Sequence, residues 1–556
     1  MKEKQKKEVV ETMGEGVLVV VLAIALILGS HIKYVVSDTI TTYQIVRYTW
    51  RDAIICVIAI IIIYCIIKWI RTKIERHDKR QICFSSKKPS TPLFVSIAVC
   101  LFAVWLPYLY LYYPAFVFND SRSSLLQAMG QTQLNNHFPV IYTLFIKCCL
   151  RVGMHLGSLV KGIALYSVLQ MLFMALGLAY FLSWLEARFS LKRWMTVITT
   201  LIFAFSRYIA QYSVAMWKDP IFSIAVVLVT IWVAEIAYGK KESVGMEVWK
   251  MIRLLMALLL MILSRNNGFY ITLAILVLAL LGVLFSRNRK TFGKITAILV
   301  ISILCSKVIT GPLYTAWGVV QDDEKTESYG IFLTQMARVV VYDGKLSESD
   351  RAYMDQILPI EEYATVYKPD CIDSLKWSEH YNGAVLEHDF FKTYLSILKK
   401  NPKICFEAWE LQTFGFWSLN QPQVNTFDGN VLAGVLRNVQ PDGVGIEGIW
   451  TKPVDDNSIW TKIFPYRAKC IPVAYVHWIL IGLALFALIR GNWRRLVVLA
   501  PALGLMATLI IASPIYYWPR YGLAQQLLLP LFIVMIFLRE GEHQNGQNCS
   551  FNTLLQ

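Results

Sequence analysis

Long apolar runs separated by short polar stretches dominate the chain, at about 17–36, 53–70, 93–113, 160–184, 194–212, 220–238, 267–285, 294–311, 471–489, 496–513 and 521–538. Each is about long enough to cross a bilayer as a helix, which takes roughly 17–25 residues. A shorter run at 251–264 pairs with 267–285 around Arg265-Asn266-Asn267-Gly268 and completes a hairpin. The pattern therefore predicts an all-α polytopic membrane protein of about twelve transmembrane helices, with both ends of the chain on one side. The stretch 138–152 differs. Phe138, Ile141, Phe145, Cys148 and Val152 recur at helical spacing while Lys147 and Arg151 fall elsewhere, so an amphipathic helix along the membrane surface is expected.

Charge orients this array. Basic residues cluster in KEKQKK at the start, at 68–88, at Arg188 with Lys192-Arg193, at Lys240-Lys241 with Lys250, in RNRK at 287–290, and at Arg490 with Arg494-Arg495. They share one side only if 138–152 does not span, and short basic loops stay in the cytoplasm. Both termini are then cytoplasmic. The loop after Tyr113, the loop from Arg207 to Asp219, the Arg265 turn, the region 312–470 and the tip at Tyr516-Tyr517-Trp518-Pro519-Arg520 lie outside the membrane. Composition agrees, with 56% hydrophobic and 17% charged residues among 556. The net charge of +16 is read as loop charge facing anionic lipid, because no Gly-rich phosphate loop, Cys/His finger or RNA-binding aromatic motif accompanies it. No nucleic acid is expected. The first apolar run is read as a retained helix without a convincing cleavage pattern, and the 11 cysteines show neither a disulfide framework nor ligand spacing.

Four regions follow: 1–92 with two helices and a basic loop, a membrane module at 93–311 containing a polar loop at 114–159 that holds the candidate chemistry, an extracytoplasmic and mainly helical insert at 312–470, and C-terminal helices at 471–556. Within the insert, Tyr329 to Tyr342 is amphipathic, Ser347-Glu348-Ser349-Asp350 resembles a capping box, and helices near 389–400 and 402–414 flank Asn401-Pro402.

Asp120 stands just beyond the run ending at Tyr113. As an Asp before Ser121-Arg122-Ser123-Ser124 it is a good helix cap, but a carboxylate at the membrane surface is also a candidate base, its pKa raised by low dielectric. His137 before Phe138-Pro139 is ordinarily a loop-end residue. Asp219 in Trp217-Lys218-Asp219-Pro220 fits a helix start, and Lys218 beside it suits a phosphate. Arg520, among Tyr516, Tyr517 and Trp518, has the look of an interfacial anchor. Asp322-Asp323 and Asp455-Asp456 are read as solvated loop carboxylates, so no metal or other cofactor is predicted.

A membrane helix, a carboxylate just after it, a surface helix, then His137-Phe138-Pro139 and a second surface helix resemble the first outer loop of GT-C glycosyltransferases, a superfamily that includes protein O-mannosyltransferases and lipid A aminoarabinose transferases. The family often has His-Pro adjacent and an acidic pair; this chain has His137-Phe138-Pro139 and Asn119-Asp120. SPIYYWPRYGLAQQLLLP resembles the Arg-Tyr segment before the last helices of members that use polyprenyl-phosphate donors. The resemblance implies transfer of a sugar from such a donor to a surface polymer, lipid or protein at the outer face of the cell membrane, with inversion. It assigns catalysis to Asp120, Asp219 and His137, and the donor phosphate to Arg520 with Tyr521, Lys218 and Arg265. A transporter or flippase of lipid-linked glycans, or a non-catalytic envelope assembly protein, is the alternative reading.

Overall fold

A computed structural model describes residues 2–36, 41–76, 84–239, 244–321, 325–326, 328–420, 458–465, 468–513 and 518–538. The longer helices are α1 (Lys2–His31), α2 (Trp50–Arg76), α3 (Thr91–Leu111), α6 (Leu159–Phe189), α9 (Lys218–Tyr238), α10 (Val244–Ser264), α11 (Asn267–Phe285) and α12 (Arg289–Val308), with α17 (Val473–Ile489) and α18 (Trp493–Ala512) near the C-terminus. Between them lie the shorter α4 (Asn119–Ala128), α5 (Val140–His155), α7 (Arg193–Phe205) and α8 (Arg207–Val214). Among the described residues, eight helices are long and apolar enough to cross a membrane, or nine if the bent pair Pro519–Leu527 and Leu529–Phe537 counts as one span. The chain is a helical membrane protein.

Twelve spans are not found among the described residues. The run 194–212 breaks at Ser206, whose hydroxyl accepts the Ile209 amide and caps a separate helix. Helix α10 is charged in its first half by Glu247, Lys250 and Arg253, and α17 has only 17 residues. The last apolar run bends by 42° near Leu528. Nor is the fold wholly helical. The first helix stops at His31, and β1 (Ile32–Val36) pairs antiparallel with β2 (Thr41–Ile45), Tyr34 opposite Tyr43. β-branched and aromatic residues take eight of the ten strand positions, which explains why the apolar run leaves the helix early.

Adjacent α3, α6, α9, α10, α11 and α18 enclose the main core, around Trp105, Trp184, Phe222 and Leu258. Helix α5 forms where expected but buries a different face, namely Tyr142, Ile146, Cys149 and Leu150, while Cys148 and Val152 are exposed. Both faces of α5 are therefore apolar, and only one of them packs on protein. Its approach to α6 depends on glycine, because a Cβ on Gly153 would stand 2.2 Å from the Gly162 nitrogen.

The insert holds α13 (Gly330–Val341), α14 (Glu348–Ile357), α15 (Phe390–Lys400) and α16 (Pro402–Trp417), close to the expected positions. The capping box forms between Ser347 and Asp350. Leu333, Met336, Met354, Tyr363, Ile397 and Cys405 make a separate core. Helix α16 ties this unit to the membrane helices, since the Trp409 indole donates to the Ile510 carbonyl at 3.1 Å and Gln412 to that of Ser513 at 2.9 Å. Asp322-Asp323, Asp455-Asp456, Lys240-Lys241, Tyr516-Tyr517 and most of the irregular part expected at 415–470 lie outside the described residues.

Candidate active site

Two extended segments, one before α4 and one before α9, build the floor of the site by pairing with each other. The Phe116 amide donates to the Val214 carbonyl at 3.3 Å and the Met216 amide to that of Phe116 at 2.8 Å, a short parallel bridge that brings Asp120 beside Lys218 and Asp219. Helix α6 clamps both strands from below. Ser167 donates to the Pro114 carbonyl at 2.8 Å, and the Gln170 amide reaches the carbonyls of Ala215, Tyr212 and Ser213 at 2.6, 3.2 and 3.2 Å. The Tyr166 hydroxyl donates to Gln170 Oε1 at 2.6 Å and so orients that amide. The Met216 carbonyl accepts from Tyr142 at 2.9 Å and also from Ser121.

Sequence reasoning missed Tyr166, Ser167 and Gln170. The only signal was three polar side chains within five residues of an apolar span, where buried polar groups must find partners. Replacing Gln170 by Leu strands buried carbonyls at a cost of about 1–3 kcal/mol. The expected result is a lower melting temperature of the purified chain in detergent, whereas an unchanged melting curve would contradict the clamp.

Above this floor six of the residues singled out in the sequence meet. Arg520 Nη1 lies 3.1 Å from Asp120 Oδ2 and 3.9 Å from Asp219 Oδ2. Lys218 is 3.7 Å from Asp120, and Arg265 pairs directly with the other oxygen of Asp219. Aromatic faces hold the guanidiniums in place. That of Arg520 lies 4.5 Å from the Trp217 ring, 4.8 Å from Trp518 and 5.2 Å from Tyr521, and that of Arg265 lies 4.5 Å from Tyr521. Trp217 in turn stacks on Phe118 with ring centres 3.7 Å apart. Asn267, two residues after Arg265, donates to Thr508 instead.

Three cations face two carboxylates, which leaves the cluster at a formal +1. Asp219 and Arg520 are buried, and the Arg520 Nε has no hydrogen-bond partner. Uncompensated charge in a buried site is costly, so the cluster is suited to an anion. Asp120 is the open edge, its side chain 36% exposed.

The direction of the Asp120 shift corrects the sequence expectation. Burial does push its carboxyl up, but the attraction of Arg520 and Lys218, with a smaller contribution from His137, outweighs it and holds the group well below the usual carboxylate range. Burial is the largest single influence, as expected, but the summed attraction of the neighbouring cations exceeds it. In the resting protein Asp120 is ionised and a weak base.

His137 stays outside the ion cluster but close to it. Its neighbour Phe138 lies under Lys218, 4.8 Å from Nζ. Both line a cavity of about 390 Å³ with Ser123, Gln127, Asn135 and Gln321. Asp120, Ser123 and Gln127 share a face of α4, so the cavity lies along the same face of that helix as the carboxylate. The insert closes its far side, because the Val320 amide donates to the Leu134 carbonyl at 2.9 Å and the Asn136 amide to that of Val320 at 3.1 Å. No group of three or more His, Cys, Asp or Glu side chains placed to hold a metal occurs among the described residues.

Fold and site together define a helical membrane protein with a buried, cationic ion cluster at one end of its bundle. The family model that matches residues 125–550 is that of DUF6020, a family of unknown function, and the chain belongs to it. That match begins just after Asp120 and takes in Lys218, Asp219, Arg265 and Arg520. No curated protein and no solved structure matches the chain.

Proposed function

We propose that the chain is a GT-C type glycosyltransferase that moves a sugar from a polyprenyl-phosphate donor to an acceptor hydroxyl at the outer face of the membrane. The observation that carries this reading is the convergence of Asp120, Lys218, Asp219, Arg265 and Arg520, drawn from four separate stretches, into one cluster with an excess positive charge. The donor phosphate takes Arg520, Lys218 and Arg265, and the guanidinium fork of Arg520 gives it two parallel hydrogen bonds. The acceptor occupies the adjoining cavity, where Ser123, Gln127, Asn135 and Gln321 offer the hydroxyl and amide groups that suit sugar hydroxyls.

Asp120 accepts the acceptor proton as the hydroxyl oxygen bonds to the anomeric carbon. The bond from that carbon to the phosphate oxygen breaks, and its electron pair leaves on the polyprenyl phosphate. Attack opposite the leaving group inverts the centre. Donor binding also switches the base on, because a phosphate that draws Arg520 and Lys218 to itself removes the two charges that hold the Asp120 proton affinity down. With this reading both termini lie in the cytoplasm and the insert outside it.

Thermal unfolding in detergent tests the phosphate part. Polyprenyl phosphate at a hundredfold excess over its Kd should stabilise the chain by about 2.7 kcal/mol, while the neutral polyprenol of equal length should not. Equal shifts from both, or none from either, would remove the phosphate assignment.

A further inference from the structure

The helices that carry the candidate active site gather a second polar group at their opposite ends. Helix α9 spans the two, with Lys218 and Asp219 in its first turn and Glu235 in its last, about 24 Å away at 1.5 Å per residue. Glu235 is buried and accepts from the Trp184 indole at 2.7 Å and from Arg188 Nη2 at 2.7 Å, with Lys250 at 3.6 Å. Arg188 also donates to the carbonyls of Ser85 at 3.2 Å and Lys87 at 3.0 Å, which fixes the segment leading into α3 against α6.

That segment roofs a cavity of about 570 Å³ between α6, α9 and α10. Lys88, Arg188, Lys250 and Arg253 line it, and Glu235 is the one carboxylate among its lining residues, so the walls carry a formal +3. Arg188 and Lys250 are committed to Glu235. Lys88 and Arg253 lie within ion-pair distance of no carboxylate among the described residues, and Arg253 is held 5.0 Å over the Trp232 ring. Ser90, at the mouth, caps α3 with its backbone only and leaves its hydroxyl available. The outer rim is apolar, formed by exposed Trp249 and Met246, as in a site that opens sideways to lipid chains.

We propose that this cavity binds a phosphate group, carried by an anionic phospholipid in the leaflet opposite the candidate active site or presented as free phosphate. Two unneutralised cations, a hydroxyl and an aromatic rim match a lipid phosphodiester whose chains pass Trp249, and the fixed roof keeps the site formed without it.

Native mass spectrometry of the purified full chain with phosphatidylglycerol or phosphatidylcholine tests this, alongside unfolding curves with millimolar inorganic phosphate. Lys88→Gln with Arg253→Gln removes the two cations at exposed positions, and equal melting temperatures without ligand will show that the variant folds. Preferential retention of phosphatidylglycerol that falls about tenfold in the variant assigns the lipid source. Stabilisation by inorganic phosphate that the variant loses, with no lipid preference, assigns free phosphate. Identical behaviour of the chain and the variant in both assays overturns the proposal.

Discussion

Asp120→Asn should lower sugar transfer by roughly 10²–10⁴-fold, the usual contribution of a positioned general base. The amide keeps the shape of the carboxyl and can still accept from Arg520, so the fold and the ion cluster should persist. Removing one negative charge raises the cluster from +1 to a formal +2, and donor binding should hold or tighten. The loss must therefore appear in kcat and not in the donor KM. A pH profile gives a second readout. Because the folded-state pKa of Asp120 is depressed, its ionised form persists as pH falls, and kcat/KM, which reports the free protein, should keep its acid limb below about pH 4. The acid limb of kcat, which reports the donor complex, should lie higher, since the phosphate then competes for Arg520 and Lys218. Coincident limbs would contradict activation by the donor.

Arg520→Gln is expected to reduce kcat/KM by roughly 10²–10³-fold, as for removal of one donor to a charged transition state. Here the donor KM should rise as well, and the stabilisation by polyprenyl phosphate should disappear. Loss of one partner from a buried pair commonly costs about 3–5 kcal/mol. Asp219 retains Arg265 and Asp120 retains Lys218, so the cost here should fall short of that range. Arg520→Lys separates folding from recognition. It keeps the charge near both carboxylates but lacks the planar fork and stacks less well on Trp217 and Trp518, so a folded chain with impaired transfer is expected. Full activity in the Lys variant would mean that charge alone matters.

Much of the architecture was legible because it rests on local pattern. The run 93–113 became Thr91–Leu111, the run 220–238 became Lys218–Tyr238, and the Ser347 capping box formed as its spacing required. What failed was partly local and partly a matter of partners distant in sequence. Run length hid the break at Ser206, and apolarity alone did not separate helix from hairpin at Ile32. Asp120, Asp219 and Arg520 were legible singly, each with an ordinary reading as cap or anchor, and only the fold joins them: Arg520 and Asp120 are 400 residues apart. The sign of the Asp120 shift was missed for that reason. Gln170 stood out only as a polar residue in an apolar span, and its role stayed hidden because it binds backbone carbonyls, which every sequence supplies.

The most direct measurement is transfer of labelled sugar from a polyprenyl-phosphate donor to a soluble glycan acceptor by the purified chain in proteoliposomes, with Asp120→Asn in parallel. The account predicts labelled, inverted product from the chain and a loss of at least a hundredfold in the variant at unchanged donor binding. Movement of intact donor across the bilayer without transfer, or equal transfer by the Asn variant, would contradict it.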